Sequence, residues 1–260
     1  MSGRSIPLVV IAAGVLALSA PARTQAASPP AGVSGAQMTS AYWQQLLEAE
    51  TQLKADPGSL RTGARYRQLI IQGGLYDRAI ALLRTLVDQH PQSVEAHMNL
   101  ALACVDKVPV SGKIRQALLG REAIEHFTTS IKIRPTSVAL YCRGLVNLFY
   151  DVLIFRRVAI GVADLEHARE LHLQKAPRPY HARVYVSLGD GYWKLKNLAR
   201  AKAVWSDGLA RFPGNADLQA RVAKTGKELE WMVRTALDPD NRVDTSLQEI
   251  LYDLAELGLR

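Results

Sequence analysis

Residues 185–213 read YVSLGDGYWKLKNLARAKAVWSDGLARFP, and the spacing of three residues in this stretch decides the fold. Ala201 is followed four residues later by Trp205 and twelve residues later by Pro213. A small residue is required where two helices cross closely, because a larger side chain would separate their backbones. A large apolar side chain one turn further along the same face fills the space beyond the crossing. The proline cannot continue the helix and therefore ends the unit.

The same spacing of alanine, large apolar residue and proline occurs at two earlier places in the chain. It is found at Ala79, Leu83 and Pro91, and again at Ala123, Phe127 and Pro135. A less regular unit lies between the second and the last, and it has Gly161 in the position of the alanine. Recurrence of this kind indicates an array of helix pairs, each of which buries its apolar face against its neighbours.

The residues before Ala201 complete a known pattern. They are Tyr185, Leu188, Gly189 and Tyr192, followed by Asn197 as a turn. The stretch resembles the tetratricopeptide-repeat (TPR) family, whose pattern is W-x2-L-G-x2-Y, then A-x3-F, then P. Tyr185 stands in the place of the Trp, and Trp205 in that of the Phe. The resemblance implies an all-α fold, an α-solenoid of about four TPR-like helix pairs, two of them irregular, with flanking N- and C-terminal helices. We expect Ala201 to pack near Leu188 and Gly189.

The chain divides into five parts by composition and periodicity. We predict a signal peptide over 1–27, a flexible leader over 28–38, an N-terminal flanking helix within 39–58, TPR repeats over 59–215 and C-terminal capping helices over 216–260. In the last part, the pattern predicts one long helix from Ala216 to Ala236 and a short one from Thr245 to Leu257.

The first residues have the composition of an export signal. Arg4 precedes an uncharged apolar stretch from Ile6 to Ala20, and small residues that suit cleavage follow it. The stretch is shorter than the roughly 20 residues that span a bilayer as a helix. We therefore expect a protein of the periplasm, or a secreted one. An uncleaved N-terminal anchor remains an alternative, and only in that case do we expect association with the membrane.

The net charge is positive but not concentrated. It is +8 for the whole chain and +6 once Arg4 and Arg23 are removed with the signal. Such a balance suits nucleic acid, anionic lipid or an acidic partner protein, although the charges are scattered along helices as on an ordinary solvated surface. Because export separates the protein from most nucleic acid, we expect another protein as the partner and no nucleic acid.

No motif in the chain indicates catalysis. It contains no glycine-rich phosphate loop, no serine nucleophile elbow and no Cys-x-x-Cys pair. Asp164, His167, His172 and His181 combine acid and base close together, but their spacing fits no metal site or catalytic triad. We therefore expect no enzyme activity, no cofactor and no metal.

The resemblance also implies a binding surface. In TPR proteins the first helix of each pair lines a concave groove that binds a peptide or a helix of a partner. Carried over to this chain, the groove residues are Arg61, Arg65, Gln68, Asn99, Leu102, Tyr141, Phe149, Arg183, Asp190, Trp193 and Lys194, together with Glu95, Met98 and Leu145. The middle of this set is apolar and aromatic, which favours a hydrophobic peptide or helix.

Two interpretations of the function follow from this surface. The first is a non-catalytic scaffold or adaptor of the cell envelope, and the alternative is an accessory subunit of an exported enzyme or redox complex. Some of these residues also have a purely structural explanation. Trp193 and Phe149 suit tight packing as well as partner contact, and Arg61 and Arg65 suit a solvated helix face.

The two cysteines fall on the first helices of adjacent units. Cys104 lies late in its helix and Cys142 early, which separates them by roughly 7 Å along the axis before the spacing between helices is added. A disulfide requires Cα atoms within about 7 Å in total. We predict two free, buried thiols, with a disulfide between the second and third units as the rival.

Overall fold

The computed structural model describes residues 39–149, 157–238, 240 and 245. Within these residues the secondary structure consists of eleven α-helices and two 3₁₀ turns, without a strand. The predicted all-α class is therefore confirmed. The predicted signal peptide, the leader and the helix expected after Thr245 lie outside the described residues, apart from Thr245 itself.

The helices follow one another with short connections. They are α1 (Ser40–Ala55), α2 (Leu60–Gly73), α3 (Tyr76–Gln89), α4 (Val94–Lys107), α5 (Lys113–Ile133), α6 (Ser137–Phe149), α7 (Val158–Leu173), α8 (Ala182–Lys194), α9 (Leu198–Arg211), α10 (Ala216–Ala223) and α11 (Gly226–Ala236). The 3₁₀ turns lie at Val108–Val110 and Pro179–His181. In the part of the chain that the structure describes, no helix is both long and apolar enough to cross a bilayer.

The helices pack in the order expected of a stack of pairs. The four pairs are α2–α3, α4–α5, α6–α7 and α8–α9, and each second helix also packs against the first helix of the following unit. First helices touch one another as well, α2 against α4, α6 against α8 and α8 against α10. We call the surface formed by α2, α4, α6, α8 and α10 the first-helix face.

Side-chain caps and glycine fix several helix ends. The hydroxyl of Thr39 accepts a bond from the Tyr42 amide (3.3 Å), as expected of an N-cap. Gly74 has a left-handed backbone (φ 66°) and ends α2, because this conformation is open to glycine at little cost. The long helix predicted over 216–236 was wrong, since α10 ends before Lys224 and α11 starts after Thr225.

A close approach of two helices lies where α8 crosses α9. A Cβ atom on Gly189 would be only 2.1 Å from Nε1 of Trp205, so the indole lies directly on the glycine backbone. Trp205 is fully buried, and its Nε1–H donates to the Val186 carbonyl (3.3 Å). Ala201 is fully buried in the same apolar cluster as Leu188, as predicted, and Trp205, one turn further along α9, covers Gly189.

The third pair uses two glycines at its crossing. A Cβ atom on Gly161 of α7 would lie 2.7 Å from the carbonyl oxygen of Gly144 on α6. Two helices can come this close only where neither backbone has a side chain in the way. Gly161 therefore takes the role that alanine has in the other units, as predicted from its position.

The apolar core consists of two large clusters. The first extends from Leu46 of α1 to Cys142 of α6 and includes Tyr180 before α8, and the second extends from Leu148 of α6 to Leu237 after α11. Tyr141 packs against both clusters. The core is therefore continuous along the stack, with α6 as the helix that the two clusters share.

The crossing at Gly189 gives a direct test of the fold. Replacing Gly189 by alanine forces a Cβ atom into the Trp205 ring, and we expect a loss of about 1–3 kcal/mol in the free energy of unfolding. Gly214→Ala is the matched control, since nothing lies within 4 Å of the Cβ it would add. Urea unfolding measures both variants. Equal stability of Gly189→Ala and Gly214→Ala would contradict the assigned crossing.

Candidate functional site

The residues predicted to line a groove all belong to first helices, but they do not share one environment. Arg61 and Arg65 on α2 are exposed, and Gln68 is half-buried. Arg65 forms an ion pair with Glu48 of α1 (3.6 Å), in which both side chains are about half exposed. Water screens such a pair strongly, so it contributes little to stability. Arg61 and Arg65 are therefore surface residues, as the groove prediction requires.

Four of the predicted residues are instead buried inside the helix packing. They are Met98, Asn99, Leu102 and Asp190, none more than 3% exposed. Asn99 donates from Nδ2 to the Ser59 carbonyl (3.3 Å), and its side chain fills the space over Gly63. These side chains hold α4 and α8 in the stack, so we remove them from the candidate surface.

Asp190 shows why an acidic residue in this position is not exposed. Arg221 of α10 donates to its two carboxylate oxygens from Nε (2.6 Å) and Nη2 (2.8 Å). Both side chains are only 3% exposed. Burial raises the pKa of Asp190, and the Arg221 guanidinium opposes that shift. The pair ties the last complete unit to α10, which is a structural role.

Three half-buried aromatic side chains lie on α6 and α8. They are Tyr141, Phe149 and Trp193, which we call the aromatic strip. Lys194, next to Trp193, donates from Nζ to the Leu148 carbonyl (2.6 Å), and this bond brings the end of α8 beside the end of α6. Phe149 and Trp193 also pack against the same apolar cluster. The strip is therefore anchored in the core while part of each ring remains at the surface.

Two cations flank the Trp193 ring. Lys196 Nζ lies 5.3 Å from the ring centroid, and the Arg234 guanidinium lies 5.8 Å from it. Cations at these distances are attracted by the negative face of the ring. The end of the aromatic strip therefore combines an apolar surface with the charge of Lys196, whereas Arg234 is also paired with Glu230 (2.9 Å). Arg183 and Leu145, the other predicted residues on these helices, are half-buried.

A polar cleft that the sequence did not predict lies at the turns between units. It has a volume of about 440 Å³ and is lined by Asp56, Pro57, Gly58, His90, Ser93, Glu95 and Arg134. Glu95, predicted for the groove, forms an ion pair with Arg134 across this cleft (2.7 Å). Its lining comes from the α1–α2 turn, the α3–α4 connection and the ends of α4 and α5, which no local pattern brings together.

The group of acid and base residues singled out in the sequence does not assemble into a catalytic site. Asp164 accepts two bonds from Arg143 (2.6 and 2.8 Å), and His167 is exposed. His172 and His181 are buried and stack on each other with ring centroids 3.9 Å apart. Among the described residues, no group of three or more histidine, cysteine, aspartate or glutamate side chains could hold a metal ion.

The cysteines behave as predicted. Cys104 and Cys142 are free and buried. Burial raises the pKa of both thiols, that of Cys142 to about 12. They therefore stay protonated at neutral pH and act as small apolar packing residues.

A further polar cluster on the first-helix face was missed by the sequence analysis. Arg67 of α2 forms an ion pair with Asp106 of α4 (Nη1 to Oδ2, 3.3 Å), and both side chains are buried. Thr245, which follows α11 by several residues, contacts both of them. No local sequence pattern predicts this cluster, because Thr245 is far from Arg67 and Asp106 in the chain.

The comparisons with known proteins concern the fold. A TPR protein of Thermus thermophilus, TTC0263, matches with a TM-score of 0.52 and 22% identity, over 70% of this chain and 89% of that one. YrrB, described as a TPR protein with an unusual peptide-binding site, matches with a TM-score of 0.46 and 12% identity, over 78% and 91% of the two chains. No protein-family profile and no curated protein matches the sequence. The likeness to TTC0263 shows that the chain has a TPR-like α-solenoid fold.

The buried histidines predict that stability depends on pH. Burial, and then the neighbouring His181 and Lys175, lower the pKa of His172 to about 3, whereas the unfolded value is near 6.5. Burial and His97 also lower the pKa of His126. Between these values the unfolded chain binds more protons than the folded one, so the free energy of unfolding falls as the pH drops below about 6.5.

The contribution of His172 is measurable by urea unfolding between pH 7 and pH 5. Each histidine that gains a proton only on unfolding adds a slope of about 1.4 kcal/mol per pH unit. We expect His172→Phe to reduce the slope by about that amount. His167→Phe, on the exposed side of the same helix, is the control and should leave it unchanged. An unaltered slope in His172→Phe would contradict the assignment.

Proposed function

We propose that the chain is an exported scaffold or adaptor that binds a segment of another protein on its first-helix face and performs no chemistry itself. The aromatic strip is the observation that supports this proposal most directly. Its rings are held by the core and are still partly exposed, which is the arrangement of anchor residues at protein interfaces. A purely structural aromatic residue would gain more by complete burial, as Trp205 does.

The surroundings of the strip define the chemistry of the partner. Lys196 lies beside Trp193, so an apolar side chain on the ring with an acidic residue next to it would be complementary to this end. The net positive charge of the chain favours the same kind of partner. We infer a peptide or helix with an apolar face and acidic neighbours, bound without a cofactor.

Site-specific photo-crosslinking tests the surface. A photoreactive phenylalanine at Trp193 should crosslink a discrete partner protein in the producing cell, because this position lies on the first-helix face. The same residue at Ala203, exposed on α9 in the second-helix layer, is the matched control. Once the partner is known, Trp193→Ala should weaken its binding by at least tenfold, as expected for a tryptophan anchor. Identical products from both positions, or none from either, would contradict the proposed surface.

The proposed location is tested separately. Export with cleavage predicts that the mature protein begins near Ser28 and is recovered outside the cytoplasm, because the charge, apolar stretch and small residues before it have the order of a signal peptide. N-terminal sequencing of the fractionated native protein measures this. Recovery of the intact N-terminus in the membrane fraction would support the uncleaved anchor, and recovery in the cytosol would exclude export.

A further inference from the structure

The turn between α8 and α9 has the same geometry as the turn between α2 and α3, with one residue type changed. Lys196 in the first turn and Gly74 in the second each lie five residues before the alanine of their unit. Both have a left-handed backbone, with φ of 63° at Lys196 and 66° at Gly74. In both turns the next amide bonds to a carbonyl five positions back, at 2.9 Å after Lys196 and 3.1 Å after Gly74. A lysine therefore lies where the equivalent turn uses glycine.

This backbone conformation is unfavourable for lysine. In the left-handed region a Cβ atom lies too close to the following carbonyl oxygen, which is why glycine is the usual residue at such a helix end. Other residues that are held in this region cluster at functional sites. The Lys196 side chain is exposed, and its Nζ lies 5.3 Å from the Trp193 ring centroid. In the part of the chain that the structure describes, this ammonium forms no ion pair, so its charge is available to a partner.

A second tryptophan lies at the surface on α11. Trp231 is 61% exposed, although Leu229 and Val233 of the same helix are buried in the apolar cluster that also contains Trp205. The helix is therefore fixed to the core while this large side chain remains in contact with water. Tryptophan is enriched at protein interfaces, because its ring buries a large area when a partner covers it.

Arg234 joins the two tryptophans into one surface. Its guanidinium lies 5.8 Å from the Trp193 ring centroid, and its position three residues after Trp231 makes the two residues neighbours on the surface of α11. Lys227, four residues before Trp231, is exposed on the same side of the helix. Unlike Arg234, which is paired within α11, Lys227 has no ion pair among the described residues. Each tryptophan thus has an unpaired lysine beside it.

These charges determine which partner fits the surface. A wholly apolar segment would cover the rings but would leave both lysines without a counter-ion, whereas an acidic segment supplies a carboxylate to each of them. An anionic bilayer fits less well, because Glu228 and Glu230 on α11 are 75% and 47% exposed and would approach the same headgroups. A protein segment can instead place its carboxylates at the lysines alone.

We propose that Trp231 and Lys196 extend the partner-binding surface from the aromatic strip onto α11, and that this surface takes an acidic amphipathic segment of a partner protein. Two apolar side chains of the segment lie on Trp193 and Trp231, and its carboxylates lie at Lys196 and Lys227. The inference rests on the proposed function and names the chemistry that its surface recognises. Lys196 is then a specificity-determining residue, which explains why glycine does not occupy this position.

Fluorescence anisotropy of a labelled peptide tests this surface. The probe is an amphipathic peptide of leucine and glutamate, about 18 residues or five helical turns long, and a comparison peptide has glutamine in place of glutamate. We expect the full-length mature protein to bind the glutamate peptide about tenfold more tightly than the glutamine peptide. Trp231→Ala should weaken binding of the glutamate peptide about tenfold, because a tryptophan anchor is lost. Ile160→Ala on α7, where the side chain is 48% exposed, is the matched control.

Three substitutions separate a binding role of Lys196 from a structural one. Lys196→Met removes the charge and should weaken binding of the glutamate peptide about fivefold, whereas Lys196→Arg keeps the charge and should preserve binding. Lys196→Gly should weaken binding to the same extent and still raise the melting temperature by about 2–4 °C, because it relieves the left-handed backbone. A lysine with only a structural role would lose stability in Lys196→Gly. Lys132→Met, at an exposed position on α5, is the control and should leave peptide binding unchanged.

Three results would overturn the inference. They are equal binding of the two peptides, unchanged binding in Trp231→Ala or Lys196→Met, and cosedimentation with phosphatidylglycerol vesicles that Trp231→Ala abolishes, since the surface would then bind a membrane. Thermal unfolding of each variant establishes that it is folded. A partner crosslinked at Trp193 would still support the proposed function if the peptide experiment failed, and the absence of a crosslink would count against the proposed function without changing the peptide result.

Discussion

The close crossing of the two helices within a pair is the constraint on which the other contacts depend. At Gly189 a tryptophan ring lies on bare backbone, and at Gly144 and Gly161 two backbones touch directly. Because the helices approach this closely, each second helix also reaches the first helix of the next unit. The core then continues from one unit to the next, which is how short helices that are marginal by themselves become stable in a stack.

Polar contacts also join the first helices of neighbouring units. Asn99 reaches the Ser59 carbonyl before α2, and Lys194 reaches the last turn of α6. Asp190 and Arg221 join α8 to α10 through a buried, two-bond ion pair. Such pairs add little net stability, but breaking one leaves a buried charge without a partner. The first-helix face is thereby held in one arrangement, as a preformed binding surface requires.

The same face combines two kinds of surface at its two ends. Around α6 and α8 it has the aromatic strip with cations beside Trp193. Around α2 and α4 it has the Arg67–Asp106 pair, which is buried beneath Thr245. The aromatic end has partly exposed rings, whereas the charged pair at the other end is buried. The partly exposed aromatic region suits partner binding, and the buried pair joins α2 to α4.

Much of the fold was determined by the sequence alone, because it depends on local spacing. The alanine or glycine, the large apolar residue and the proline recur at fixed intervals, and each position has a steric reason that acts within about thirty residues. The same reasoning fails where one long helix and two shorter helices have similar local patterns. It predicted a single helix over 216–236, although Gly226, with a left-handed backbone (φ 53°), lies at the break.

The candidate site was decided mainly by tertiary structure. The repeat register places Asn99, Leu102 and Asp190 on the first helices, but their exposure depends on what packs beside them. Asn99 packs against Gly63, Leu102 lies in the core, and Asp190 is covered by Arg221. The cysteines were predictable because two axial positions suffice to exclude a bond. The contact of Thr245 with Arg67 and Asp106 was not predictable, because Thr245 lies 178 residues from Arg67 and 139 from Asp106. A local pattern does not specify which distant hydroxyl bonds to a buried ion pair.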